Sequence, residues 1–145
     1  MSLSASIKIE LQGSKLTEII DCLICSGWSI YDEDNNVNFL PINDNGYFSW
    51  TKEKLTKDQF YLLITAKEEN NEVIGVLLYK DNICGTSILF LPSHEIIFSC
   101  DINRRVIHLQ NKNSFTDINW YVNELIAPLI NKGYKVLDFE YSETR

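Results

Sequence analysis

The chain has 145 residues, of which 45 % are hydrophobic and 23 % charged, with a formal net charge of −7 and a pI near 4.8. That length suits one domain over residues 1–145, which buries about 68–70 % of the surface its unfolded chain exposes and so needs no disulfide or metal to hold a core. The acidic balance argues against nucleic acid or an anionic membrane as a partner, because phosphate contacts need clustered Lys and Arg.

Met1–Ser6 shows neither a basic n-region nor an apolar h-region, and no apolar run reaches the roughly 18 residues of a membrane span, so a cytoplasmic protein is expected. From Ser6 to Leu11 the sequence alternates, with Ile7, Ile9 and Leu11 set against Lys8 and Glu10, which predicts a half-buried strand. Gly13 ends it, and Ser14 is placed to cap a helix. Leu16, Ile19, Ile20, Leu23 and Ile24 form one apolar stripe, and Gly27 stands where a left-handed residue closes such a helix. Trp28–Tyr31 reads as extended, Asp32–Asn36 as a turn, and Val37–Leu40 as the returning strand, ended by Pro41. Asn43-Asp44-Asn45-Gly46 is a second turn, followed by the short aromatic segment Tyr47–Trp50 and a polar loop or single helical turn over Thr51–Asp58.

Five short runs then share a texture rich in β-branched and aromatic residues: Phe60–Ile64, Val73–Tyr79, Ser87–Leu91, Glu95–Phe98 and Val106–Leu109. Asn, Asp, Gly and Pro separate them, at Glu68–Asn71, Lys80–Asn82, Pro92–Ser93 and Asp101–Arg104, and predict an antiparallel meander. Val73–Tyr79 and Ile88–Leu91 are apolar on both faces, so the middle of the sheet should be covered twice, by helices, by curling, or by another molecule. Ser114-Phe115-Thr116-Asp117 has the pattern of a capping box. Ile118, Tyr121, Val122, Leu125, Ile126, Leu129 and Ile130 make a second helical stripe, with Pro128 expected to kink its last turn. Gly133 closes that helix, and Tyr134–Tyr141 is the final strand. Residues 18–28 and 124–134 echo one another, which two helices docked on one sheet through the same loop chemistry would explain. The predicted class is α+β: an antiparallel meander sheet with two amphipathic helices packed against it, its outer strands drawn from the two ends of the chain.

No residue cluster compels a reaction. Cys22-x-x-Cys25 sits in the last turns of a helix, where the dipole disfavours thiolate, and no second close pair with Cys84, Cys100 or His94 completes a zinc pattern. Asp32-x-Asp34-x-Asn36 opens like a calcium loop, but Val37 and Asn43 stand where Gly and Glu are required. Neither a nucleophile elbow nor a glycine-rich phosphate loop occurs, so no metal, cofactor or catalytic residue is assigned. An orphan hydrolase using His94 or His108 is kept as an alternative.

The remaining feature is acidic and aromatic. Asp32, Glu33 and Asp34 crowd one turn, and Glu68, Glu69 and Glu72 another; Trp28, Tyr31, Tyr47 and Trp50 accompany the first group. Carboxylates edged by aromatics suit a cationic protein partner, because the rings desolvate the contact while charge steers the encounter. In size, acidity, texture and Ile/Asn/Lys-rich usage the chain resembles the immunity proteins of bacterial polymorphic-toxin and contact-dependent growth inhibition systems. The resemblance implies a cytoplasmic, non-enzymatic monomer that binds and blocks a cognate toxin, expected to be a basic nuclease. The contact residues expected from the acidic and aromatic groups are Tyr31, Asp32, Glu33, Asp34, Tyr47, Trp50, Glu68, Glu69 and Glu72. An acidic secretion chaperone, which would be a dimer, is the other binding alternative; its usual opening helix is not what the first residues predict.

Overall fold

The computed structural model describes residues 4–13, 15–81, 84–110 and 114–144; the predicted cap at Ser14 and the turn residue Asn82 lie outside them. Strand β1 (Ser4–Leu11) buries Ala5, Ile7, Ile9 and Leu11 and leaves Ser6, Lys8 and Glu10 half-exposed, the period of two that its alternation demands. Helix α1 (Leu16–Cys25) buries Leu16, Ile19, Ile20 and Leu23 and ends before Gly27, whose φ of 101° is left-handed. Two short strands follow, β2 (Trp28–Ser29) and β3 (Val37–Phe39), then β4 (Thr51–Glu53). The long strands are β5 (Ile74–Lys80), β6 (Cys84–Phe90), β7 (Glu95–Ile102) and β10 (Val136–Thr144).

The main sheet runs β10-β1-β7-β6-β5-β3-β4, with β2 also paired to β5, and every pairing is antiparallel. The fold is α+β with β5, β6 and β7 as its meander. β10 is an edge as expected, but β1 is not: it lies between β10 and β7, and β4 forms the other edge. Val106–Leu109 does not continue the meander. β8 (Val106–His108) instead pairs with β9 (Ser114–Thr116) as a separate hairpin, because Asp101–Arg104 turns the chain out of the sheet.

A helix stands where the first predicted strand was expected. Helix α2 (Lys57–Glu69) takes in Phe60–Ile64, burying Phe60 and Ile64 one turn apart while Leu62 is 72 % exposed. Its start is a full capping box. Thr56 Oγ1 accepts the Gln59 N–H at 3.1 Å, and Gln59 Oε1 accepts the Thr56 N–H at 2.9 Å. That reciprocal cap fixes the first turn in helical register, and the β-like texture of Phe-Tyr-Leu-Leu-Ile yields to it. At the third helix the predicted Ser114 box is replaced by Asp117, whose side chain accepts the Trp120 N–H at 3.2 Å.

The third helical rod, residues 118–132, is built of α3 (Ile118–Tyr121), a π segment (Val122–Ile126) and α4 (Ala127–Lys132). Pro128 lies in the first turn of α4, directly after the π segment, and its effect reaches toward the N-terminus. Having no N–H, it leaves the Glu124 carbonyl without its α-helical donor. That carbonyl accepts Trp28 Nε1–H at 2.8 Å, and the Ala127 N–H bonds to Val122 across the π turn. Trp28, 2 % exposed, packs edge-on against Trp120 with ring centroids 6.1 Å apart. Lys80 closes the knot: its Nζ donates to Ser26 O at 2.8 Å, pairs with the Glu124 carboxylate, and lies 5.4 Å from the Trp28 ring centroid.

All three helical rods lie on one face of the sheet. Leu16, Ile20 and Leu23 of α1, Phe60 and Ile64 of α2, and Tyr121, Leu125 and Leu129 of the third rod join Ile7, Ile9, Val76, Leu78, Ile88, Ile96 and Phe98 in one core. Among the described residues no helix is long and apolar enough to cross a membrane. In urea unfolding, Trp28→Phe should lower stability by about 2 kcal/mol, from lost packing and an orphaned carbonyl. Adding Pro128→Ala should restore about 1 kcal/mol in that background only, since an alanine at that position supplies the missing donor.

Candidate protein-binding surface

Pro41 ends β3 and turns the chain into the loop that reaches Trp50. Asn43, Asn45 and Gly46 are left-handed there, with φ of 62°, 55° and 79°, and so is Phe48, at 53°. A bulky residue rarely adopts that conformation, which costs on the order of 1–3 kcal/mol, so something must hold it. The Asp44 carboxylate does so, accepting the N–H groups of Phe48 and Ser49, both at 2.8 Å. Those bonds, with the Ser49 N–H first, hold its carboxyl below the usual range.

Underneath lies Lys67, which has no exposed surface at all. Its Nζ donates to the carbonyls of Leu40 and Pro41, each at 2.9 Å. Burial pushes its ammonium below the usual lysine value, while Glu72 and Asp44 pull the other way. Glu72 Oε1 accepts the Asn43 N–H at 2.8 Å, and its Oε2 is buried without a hydrogen-bond partner. Leu40 and Trp50 fold over Gly75 of β5. A Cβ there would lie 2.7 Å from Leu40 Cγ and 2.9 Å from Trp50 Cη2, so only glycine admits this approach.

The loop thus pinned displays apolar side chains to water: Tyr47 is 81 % exposed, Phe48 48 %, Ile42 44 % and Trp50 42 %. Tyr47 and Trp50 are legible in the sequence. Ile42 and Phe48 lie outside the predicted contact set, though they flank the Asn-Asp-Asn-Gly turn, and nothing in sequence marks Lys67, a lysine at the polar end of a helix.

The first acidic group is separated from this loop. It lies at the opposite end of the β3–β4 ladder, whose pairs run from Val37–Glu53 to Phe39–Thr51. Asp32 is committed internally. Its Oδ1 accepts the N–H groups of Asp34 and Asn36 at 2.9 and 3.0 Å, and its Oδ2 accepts Asn38 Nδ2–H at 3.1 Å. The Asn36 N–H leads in holding its carboxyl below the ordinary value. Glu33 and Asp34 are exposed beside it. Lys52 Nζ stands 3.8 Å from Asp32, and Lys54 Nζ donates to Asp34 O at 3.1 Å, so cations are interleaved with the tip. Tyr31 is half-buried with its hydroxyl on Leu55 O at 2.9 Å, and Trp28 is core. Glu68 and Glu69 end α2 rather than a hairpin, near Glu72 and therefore on the loop's side of the molecule.

The other chemistry-bearing residues are dispersed. His94 shares a cleft of about 110 Å³ with Glu68 and Glu72, well below the roughly 300 Å³ at which small-molecule sites begin, and among the described residues no Ser, Thr or Cys lines it. His108 is exposed on the β8–β9 hairpin. Cys22 and Cys25 line a groove between α1 and α4; burial raises the Cys22 thiol, which donates to Pro128 O at 3.4 Å. Burial likewise pushes the Cys100 thiol up to about 12. Among the described residues no three His, Cys, Asp or Glu side chains converge as metal ligands would.

Lys67→Met should destabilise the protein by about 3 kcal/mol, because two carbonyls and two carboxylates lose their cation, and should abolish amide-exchange protection over Tyr47–Trp50. Since the folded ammonium titrates below the unfolded 10.5, forming the buried charge costs stability, so stability is highest above 10.5 and falls as pH drops through the folded value, the hydrogen bonds to the two carbonyls offsetting part of that cost. Unfolding curves across that alkaline window should show the slope in the wild type and its absence in Lys67→Met. Comparison with protein-family models, curated proteins and solved structures finds no match to this chain.

Proposed function

We propose that this protein is an immunity protein of the bacterial polymorphic-toxin type, which acts in the cytoplasm by binding a cognate, basic toxin domain and blocking it. The observation that carries the reading is the Pro41–Trp50 loop: a buried ammonium, two carboxylates and a left-handed phenylalanine hold Ile42, Tyr47, Phe48 and Trp50 out in water. Exposed apolar side chains fixed in one arrangement lose little entropy on docking, the property that makes aromatic anchors effective at interfaces. Glu68, Glu69 and Glu72 stand near that loop, and Asp32, Glu33 and Asp34 stand beyond it. Together with the net charge of −7 they favour encounter with a positively charged domain.

The test is co-expression with the polypeptide encoded by the neighbouring open reading frame. Cells should survive a toxin that otherwise kills them, and the two chains should co-purify one to one; death despite full expression would remove the reading. Tyr47→Ala should weaken the complex about tenfold or more while leaving the melting temperature of the free protein unchanged. Alone, the protein should elute as a monomer, whereas an obligate dimer would favour the secretion-chaperone alternative.

A further inference from the structure

Among the described residues, one face of the sheet from β5 to β10 carries no helix, and its side chains grade from apolar to anionic. Cross-strand register places Gly75, Leu89, Ile97, Lys8 and Glu140 in one row from β5 to β10. The next row is Leu77, Ser87, Ser99, Ser6 and Ser142. A third runs Glu95, Glu10 and Asp138. The neighbours of these residues along each strand, such as Ile7, Ile9, Val76, Ile88, Ile96 and Phe98, point into the helix-covered core. We infer that this helix-free face is where the partner docks, and that the docking element is a cationic protein segment carrying lysine or arginine beside apolar residues. The inference rests on the protein-binding reading above and names the surface and the chemistry of its partner.

Three observations combine. Leu77, Leu89 and Ile97 are only half-buried and adjoin one another at the centre of the face, where an antiparallel sheet facing water ordinarily places polar residues. Trp50 borders them through its contact over Gly75, so the apolar centre is continuous with the pinned loop. The four serines project little from the pleat, so a partner element can approach the sheet closely.

The charges at the β1–β10 edge select the partner. Lys8 sits 3.4 Å from both Glu95 and Glu140 and pairs with them. Glu10 and Asp138 face each other directly across β1 and β10, and no ion pair neutralises either among the described residues. Like charges directly opposite on one sheet face repel. A lysine or arginine from outside relieves that repulsion, and a second copy of this chain, bringing the same carboxylates, aggravates it. Charge complementarity therefore favours a basic partner over self-association.

The test uses a short synthetic peptide of alternating lysine and leucine as the probe, titrated into the full chain at low salt and followed by amide chemical shifts. The expected shifts centre on Ser6–Glu10, Glu95–Ser99 and Asp138–Ser142. Glu10→Gln/Asp138→Asn should weaken the peptide about fivefold, whereas Glu53→Gln/Asp81→Asn, the same charge change on other exposed turns and strands, should alter it less than about twofold. Shifts centred on Asp32–Asp34 or on Glu68–Glu69, equal weakening by both pairs of substitutions, or no binding at low salt would each overturn the assignment. Peptide mapped to this face by a chain that protects no cell leaves the surface standing and removes only the toxin reading. Protection by a chain whose face shows no shift removes the surface alone.

Discussion

The ammonium of Lys67, withdrawn wholly from water, is the contact on which the exposed loop depends. An unpaired buried charge is penalised by several kcal/mol, and here it is offset by two carbonyls at 2.9 Å and two nearby carboxylates. Where the chain leaves the sheet, the Leu40 N–H still reaches Gly75 O at 3.1 Å, while the carbonyls of Leu40 and Pro41 turn inward to the lysine. The loop is therefore tied to β5 through its backbone and to α2 through a side chain. Its exposed residues inherit the rigidity of both.

The opposite end of the sheet is fastened by a second residue out of place. A proline within a helix forfeits a hydrogen bond, and the freed carbonyl of Glu124 becomes the acceptor for a buried tryptophan from another element. The π segment is the form the backbone takes to keep the rest of its ladder closed on either side of that vacancy. In both places a locally unfavourable residue makes room for a long-range connection: Lys67 reaches Leu40, 27 residues away, and the carbonyl that Pro128 frees accepts from Trp28, 96 residues away.

What can be read from the sequence divides along physical lines. Periods of two and of 3.6 are legible wherever one face alone is buried, so β1, α1 and the third rod stand where the patterning puts them, and Gly27 and Gly133 close their helices as left-handed residues. Phe60–Ile64 misleads because its composition is strand-like; the deciding signal is polar and lies upstream, in Thr56 and Gln59. Strand order is not legible, since neighbours such as β1 and β7 lie some ninety residues apart and only packing brings them together. Tyr47, Trp50, Glu33 and Asp34 are exposed as their types and turns suggest, but grouping them by sequence joins two ends of one hairpin. Asp32 illustrates the difference: in sequence it is one of three acids at a turn, whereas in space its oxygens are engaged by three donors.

The two faces of the sheet answer to different constraints. Folding is served by the face under the helices, where Ile7, Val76, Ile88 and Phe98 have essentially no exposure. Nothing in that core calls for Leu77, Leu89 or Ile97 on the other side. Uncovered apolar groups on a sheet invite association with any similar surface, a copy of the same chain included. The carboxylates of Glu10, Glu95, Asp138 and Glu140, with Lys8 as their cation, act on that hazard asymmetrically. They repel a surface charged like their own and attract one of opposite sign, so on the proposed docking the same groups would disfavour a second copy and favour a basic partner. In that proposal the apolar residues at the centre would contribute affinity without discrimination, and the discrimination would come from the acidic edge.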